Sequence, residues 1–264
     1  MGIRNLSEYA RKVPATIQVF DKFYRRYDAW FRRNKWVYTS EIEALGGLIP
    51  RDGLGLEVGV GSGRFSTPFE VKVGLDPSTK MASMAKKRGI NVICGVGELL
   101  PFKEETFDFV LNVTTICFIR SPWKALEETR RVLRKRGAAI IGFIDRNSQL
   151  GKSYEAKKTV NVFYGLARFY SVDDIKKMLV GLSFVDFSVC QTLFRDINQI
   201  NALEPVKEGM AKGDSSFLGP SRVNNETRNG LIMIEYVVFL AQDVHGMWDA
   251  RYTELHARSQ EIQP

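Results

Sequence analysis

Cysteine is scarce: the 264-residue chain has three, Cys94, Cys117 and Cys190, with no CxxC pair among them. That spacing excludes a disulfide framework and a zinc knuckle, and it fits a reducing compartment. Histidine is scarcer still. His245 and His256 are the only two, so a histidine metal site or a catalytic triad has little to build on, and no metal is expected. Long hydrophobic runs are missing too. The longest, Leu231 to Ala241, is broken by Glu235 and too short to cross a bilayer, and the N-terminal MGIRNLSEYARKV lacks the apolar centre of a signal peptide. The expectation is a soluble, cytoplasmic protein with no membrane span. There is no internal repeat and no low-complexity tract.

Ordinary globular material remains, with 44% apolar, 26% charged and 11% aromatic residues. At about 150 residues per domain the length suits one α/β domain with an appendage. The net charge is +8, and it is concentrated: nine cations face three carboxylates in the first 35 residues. Such a segment suits nucleic acid, an anionic lipid surface or an acidic substrate, and equally a solvated helix face.

From Thr16 to Trp36, Ile17, Phe20, Phe23, Tyr24, Tyr27, Trp30 and Phe31 recur at three- and four-residue spacing, which predicts an amphipathic helix with an aromatic stripe. A second short helix is expected over 38–48. The period then changes. LGLEVG (54–59), VKVGL (71–75), INVIC (90–94), FDFVLNV (107–113) and AAIIGFI (138–144) read as buried strands, with FVDFSVCQTLF (184–194) and GLIMIEYVVFLAQ (230–242) as two last ones. Between them helical segments alternate. The clearest runs from Ser121 to Arg136, with Ser at its N-cap, Pro122 at the first helical position and Gly137 beyond it. Ser171-Val-Asp-Asp looks like another helix start. This alternation predicts a doubly wound, mostly parallel sheet with helices on both faces. Three regions are expected: an N-terminal helical lid over 1–50, the α/β domain over 51–242 and a C-terminal tail over 243–264.

The chemistry is signalled at strand ends. Glu57-Val-Gly59-Val-Gly61-Ser-Gly63 closes one strand, and its glycines let the backbone approach a ligand without an intervening Cβ. The dinucleotide pattern GxGxxG would need glycine where Arg64 stands, whereas an acid two residues before the first glycine suits a ligand bearing an ammonium. Nineteen residues on, Asp76 ends the second strand in Gly-Leu-Asp-Pro-Ser, where a carboxylate can accept both hydroxyls of a ribose. Gly95-Val-Gly-Glu-Leu-Leu-Pro-Phe follows the third strand.

With ExGxGxG at 57–63, GLDPS at 74–78, GELLPF at 97–102, TFDFVLN at 106–112 and SPWKALEETRRVLRKRG at 121–137, the sequence resembles the class I S-adenosylmethionine-dependent methyltransferases. The likeness is to the group containing the ubiquinone and menaquinone C-methyltransferases, and it covers residues 16–210. VTTICFI (113–119), QTLF (191–194) and EPVKEG (204–209) look like a thermophile subgroup whose members finish soon after that last segment. The resemblance implies a seven-stranded, Rossmann-like sheet and S-adenosyl-L-methionine as cofactor. It implies that Glu57 and the backbone of Gly59, Gly61 and Gly63 hold the methionine moiety. Asp76, followed by Pro77, would take the ribose. Met81, Gly97 and Glu98 would border the adenine, and Asn112 and Val113 would sit by the sulfonium. Two departures stand out. Val96 replaces the family's usual Asp, leaving adenine to main chain and Glu98, and thirteen positions between Gly63 and Asp76 shorten the first helix to about two turns, closed by Pro68.

Methyl transfer from a sulfonium is an in-line displacement, so the protein need only align the acceptor and exclude water, and no side chain is assigned as catalytic. The aromatic stripe is expected to close the site, with Tyr27 touching the cofactor. The acceptor pocket is expected among Tyr24, Trp30, Thr114, Thr115, Cys117, Arg146, Tyr164, Arg168 and Tyr170. A small-molecule acceptor is favoured. RNA or DNA, the main rival and with protein the alternative that would use the basic N-terminal helix, is disfavoured because strand four ends in Asn-Val-Thr-Thr rather than the N/D-P-P-Y/F motif of base-amine methylation, and no Pro-Cys nucleophile is present. A cofactor-binding protein without transfer activity, or a dehydrogenase, would be revealed by which ligand binds and whether methyl groups move.

Overall fold

A computed structural model describes residues 15–209 and 236–243. Two helices come first, α1 (Ala15–Arg33) and α2 (Lys35–Gly46). The alternating part runs β1 (Gly55–Val58), β2 (Val73–Asp76), α3 (Thr79–Lys87), β3 (Asn91–Cys94), β4 (Phe107–Val113), α4 (Pro122–Val132), β5 (Leu133–Phe143), α5 (Gln149–Ala156), α6 (Val172–Gly181), β6 (Phe184–Thr192), β7 (Lys207–Glu208) and β8 (Tyr236–Asp243).

The strands form one sheet in the order β3-β2-β1-β4-β5-β8-β6-β7. The first five are parallel, and β8 and its neighbours run antiparallel. Among the described residues the sheet therefore has eight strands, not seven, because Lys207 and Glu208 add a short ladder beside Gln191 and Cys190. The expected last strand over 230–242 corresponds to β8. Residues 210–235, and the C-terminal tail apart from Asp243, lie outside the described residues, as do positions 1–14 of the lid.

Alternation along β4 shows how the core is divided. Val110 faces a cluster with Leu126 of α4 and Ile175 and Leu179 of α6, while Phe109, Leu111 and Val113 face Phe31, Val37, Leu45 and Leu150 from α1, α2 and α5. The sheet is thus covered on both sides, as a doubly wound fold requires. Strands β2 and β4 flank β1 on opposite sides, so the connections that leave the neighbouring strands β1 and β4 run in opposite directions, toward β2 and toward β5. Loops at such a switch point leave a crevice between them.

Two local expectations fail. No α-helix follows the glycine loop. The chain there makes turns and one 3-10 turn at Thr67–Phe69, with Pro68 inside it, and Glu70 then turns away at φ 54°. Phe65 and Ser66 are buried and Val71 N bonds Ser66 O, which anchors the short segment without a helix. The helix begun at Pro122 stops at Val132 rather than Arg136. Leu133 is fully buried and pairs with Phe107 of β4, so tertiary packing overrides a good helical sequence, and Arg134 to Gly137 bulge out before the ladder resumes at Ala138.

Candidate active site

The turn after β1 is built by its glycines. Gly59 and Gly61 have φ of 74° and 53°, a region that favours glycine. A Cβ on Gly59 would stand 2.2 Å from the Thr115 methyl, and one on Gly63 would stand 3.2 Å from Ala85 of α3. The amides of Gly59 and Val60 are tied to Leu75 O at 2.7 and 3.0 Å, which fastens the turn to the end of β2.

Asp76 completes that junction. Its Oδ2 accepts Gly61 N and its Oδ1 accepts Ser78 N, both at 2.8 Å, so each oxygen keeps a free lone pair. Burial pushes its carboxyl up to about 6 against those two bonds. Glu57, also buried, accepts the Ser66 hydroxyl, and burial raises its carboxyl to about 8. Asn112, at the end of β4, is buried and its Oδ1 has no hydrogen-bond partner. An orphaned acceptor at that place calls for a ligand donor. Val113 and Met81 are buried, the Pro77 carbonyl lies 3.7 Å from the Cys94 thiol, and a Cβ on Gly97 would press on Val58. Glu98 is engaged elsewhere: its Oε1 accepts Arg120 N and Ser121 N, doing for α4 what the Ser121 side chain does not.

Helix α1 closes over this turn and is fastened at two points. Asp21 accepts the Ser78 hydroxyl at 2.7 Å and Lys80 N at 3.2 Å. Asp28, 3% exposed, accepts Ser62 Oγ, Arg64 Nε and Arg88 Nη2 at 2.8 to 2.9 Å. Burial would push its carboxyl up, but bonds from Arg64 and Ser62 and the charge of Arg88 hold it below the ordinary value. The helix bends at Phe23, between the two anchors.

The aromatic stripe turns inward. Tyr27 packs edge-on against Phe20, Phe31 and Phe163, its hydroxyl bonds the Thr114 side chain, and its ring lies 3.9 Å from where a Gly61 Cβ would stand. Beneath it lies a cavity of about 310 Å³, walled by Tyr27, Trp30, Phe31, Phe65, Phe118 and Tyr164 and touching Thr114 and Glu41. Exposed Arg26, Arg33 and Lys157 stand at its mouth.

Of the nine expected acceptor-pocket residues, Trp30, Thr114 and Tyr164 line this cavity. The other six do not. Arg25 lies over the outer Tyr24 ring, and Thr115 Oγ1 bonds Gly59 O. The Cys117 thiol bonds Thr114 O and burial pushes it up to about 12, which makes it inert. Arg146 pairs with Asp174, and Arg168 stacks over Tyr170, whose ring belongs to the core on the opposite side of the sheet. Strand order placed these residues near the right edge of the sheet, but side-chain direction sends them away. Asp21, Asp28, Glu41, Ser66 and Arg88 had no motif to mark them. Arg64 was visible only as a departure from a dinucleotide pattern.

No helix among the described residues is long and apolar enough to cross a membrane. No group of three His, Cys, Asp or Glu among them could hold a metal.

Residues 56–141 match the family described as Methyltransferase domain. An uncharacterized protein of Methanocaldococcus jannaschii is 49% identical over 197 residues, 75% of this chain and 95% of that one. The chain is also similar to a crystal structure of a SAM-dependent methyltransferase of Thermotoga maritima, a possible histamine N-methyltransferase. That likeness has 39% identity and a TM-score of 0.75, covering 86% of this chain and 99% of the other. An Archaeoglobus fulgidus SAM-dependent methyltransferase shares the fold at 11% identity, with a TM-score of 0.59, over 82% and 99% of the two chains.

Proposed function

Because this chain belongs to the S-adenosylmethionine-dependent methyltransferases of class I, we propose that it methylates a small-molecule acceptor held in the aromatic cavity under α1. The observation that carries this reading is the cavity itself. It is apolar-walled, of metabolite size, and separated from the glycine turn by the Tyr27 ring.

The residues fit the cofactor. The free lone pairs of Asp76 suit ribose hydroxyls, the Gly59–Gly63 turn leaves room for a ligand's backbone approach, and the orphaned Asn112 Oδ1 and the uncharged Glu57 both gain from a donor. We assign Glu57 and Asn112 to the methionine end, and Asp76 and Met81 to the nucleoside. Gly97 borders the base, while Glu98 acts indirectly by fixing the start of α4. The cofactor supplies an electrophilic methyl group. The protein's own residues exclude water with the aromatic lid, hold the acceptor in line and surround developing charge with ring faces. Histamine, named for the Thermotoga maritima relative, is of a size this cavity admits.

Calorimetry with S-adenosylmethionine, followed by mass spectrometry on a panel of small acceptors, tests the reading. One cofactor per chain and a 14 Da gain on a small molecule are expected. Absence of binding overturns it, binding without transfer to any acceptor supports a non-catalytic binder, and transfer to RNA alone supports the nucleic-acid alternative.

A further inference from the structure

Glu41 sits on the buried face of α2 with Val37, Ser40, Ala44 and Leu45. It is 6% exposed, its Oε2 has no hydrogen-bond partner, and it is the one carboxylate lining the cavity among the described residues. Its polar neighbour Ser40 cannot satisfy it, being occupied with Trp36 O and Glu204 N. A carboxyl left unpaired in an aromatic chamber is costly unless a guest completes it. Aromatic faces around one acid form a receptor for a cation, since ring quadrupoles and the carboxylate both attract positive charge.

Resting on the methyltransferase reading, we propose that Glu41 anchors the ammonium group of a small amine acceptor, so that the methyl group is transferred to nitrogen. The groups facing Glu41 are the Tyr27, Tyr38 and Tyr164 hydroxyls, whose own ionisation its charge opposes. Arg26, Arg33 and Lys157 stand at the solvated mouth, where water and salt screen them. Burial pushes the free Glu41 carboxyl up to about 8. Capturing an ammonium at neutral pH therefore expels the Glu41 proton to solvent. In turnover the ammonium proton passes to the Glu41 carboxylate. The freed nitrogen lone pair then forms the N–C bond as the S–C bond breaks, its electrons staying on sulfur, and the positive charge moves from sulfur to the methylated nitrogen.

The test is binding of 2-phenylethylamine, tryptamine and histamine to the full chain loaded with S-adenosylhomocysteine, with 2-phenylethanol as the uncharged comparison. Calorimetry in two buffers of different ionisation enthalpy reads proton release. At least one amine is expected to bind tenfold or more tightly than the alcohol, with about one proton released at pH 7. Glu41→Gln should abolish the release and weaken amine binding at least tenfold, leaving the affinity for the alcohol and for S-adenosylhomocysteine near wild type without lowering the melting temperature. Equal binding of amines and alcohol to the wild type, or unchanged amine binding by Glu41→Gln, overturns the proposal. Loss of S-adenosylhomocysteine binding by the wild type would instead overturn the methyltransferase reading, whereas intact cofactor binding with transfer only to oxygen or sulfur acceptors overturns the amine proposal alone.

Discussion

Arg64 grips Asp28 with two nitrogens, Nε on Oδ1 at 2.8 Å and Nη2 on Oδ2 at 2.9 Å. The bond joins the lid helix to the glycine turn, and Arg88 at the end of α3 shares the same carboxylate. Removing the acid leaves two guanidinium groups facing each other. Asp28→Ala is expected to destabilise the chain by about 2–3 kcal/mol, at the low end for a buried ion pair because both arginines keep some solvent. Arg64→Ala should cost less, since Arg88 remains. Urea unfolding midpoints check both, and limited proteolysis within α1 should accelerate in Asp28→Ala.

Two glycines with similar backbone angles should respond differently to alanine. Gly59 has φ 74° and a Cβ there meets Thr115 at 2.2 Å, whereas Gly89 has φ 83° with nothing within 4 Å. Gly89→Ala bears only the left-handed strain, about 1–2 kcal/mol. Gly59→Ala adds a clash against β4's end, so a loss of about 3 kcal/mol or more is expected, with at least tenfold weaker S-adenosylmethionine binding. Thermal unfolding and calorimetry separate the two effects.

Stability of the ligand-free chain should fall as pH rises from about 5.5 to 8.5. Glu41 and Glu57 keep their protons to about 8 and Asp76 to about 6 in the folded chain, while the unfolded chain releases them near the ordinary carboxyl values of 4.5 and 3.8. Across that window the folded state binds more protons, so raising pH favours unfolding. Melting temperatures across this range check the sign. Glu41→Gln and Glu57→Gln should each flatten the slope, and a rise in stability toward pH 8 would contradict the upward push that burial gives these acids.

Tyr27→Phe removes the bond to Thr114 but keeps the ring that divides cavity from glycine turn. Methyl transfer should change less than about fivefold in that variant. Tyr27→Ala opens the wall to water, and a loss of at least about 100-fold in kcat/KM is expected, roughly 3 kcal/mol of misplaced reactants. Asp76→Asn acts on the other side. It should weaken S-adenosylhomocysteine and S-adenosylmethionine alike by about 10- to 100-fold, since under the proposed assignment Asp76 meets the ribose and not the methyl group.

Strand ends were legible because buried parallel strands read as short apolar runs and because glycine and aspartate mark where the backbone turns sharply at a strand's end. Phe107–Val113 and the Ser171 capping box appear as the spacing implied. The helix end at Val132 was hidden, since Leu133 continues the helical pattern and only its pairing with Phe107 pulls it into the sheet. Asp28 and Glu41 were hidden for a related reason. An acid on a helix reads as solvated until the opposite surface is known, and these two turn inward, Asp28 toward Ser62, Arg64 and Arg88 and Glu41 toward the aromatic cavity.

Strand β8 lies between β5 and β6, and its Gln242 sits opposite Ala138 although the two are roughly 100 residues apart in the chain. The joint between the parallel and antiparallel parts of the sheet must therefore wait until residues 236–243 have emerged from the ribosome. Until then β5 and β6 each present a bare edge. A chain lacking 236–243 would leave both of those edges unpaired at once, and unpaired edges are templates for pairing with other chains, so such a chain is expected to aggregate where the complete sheet does not.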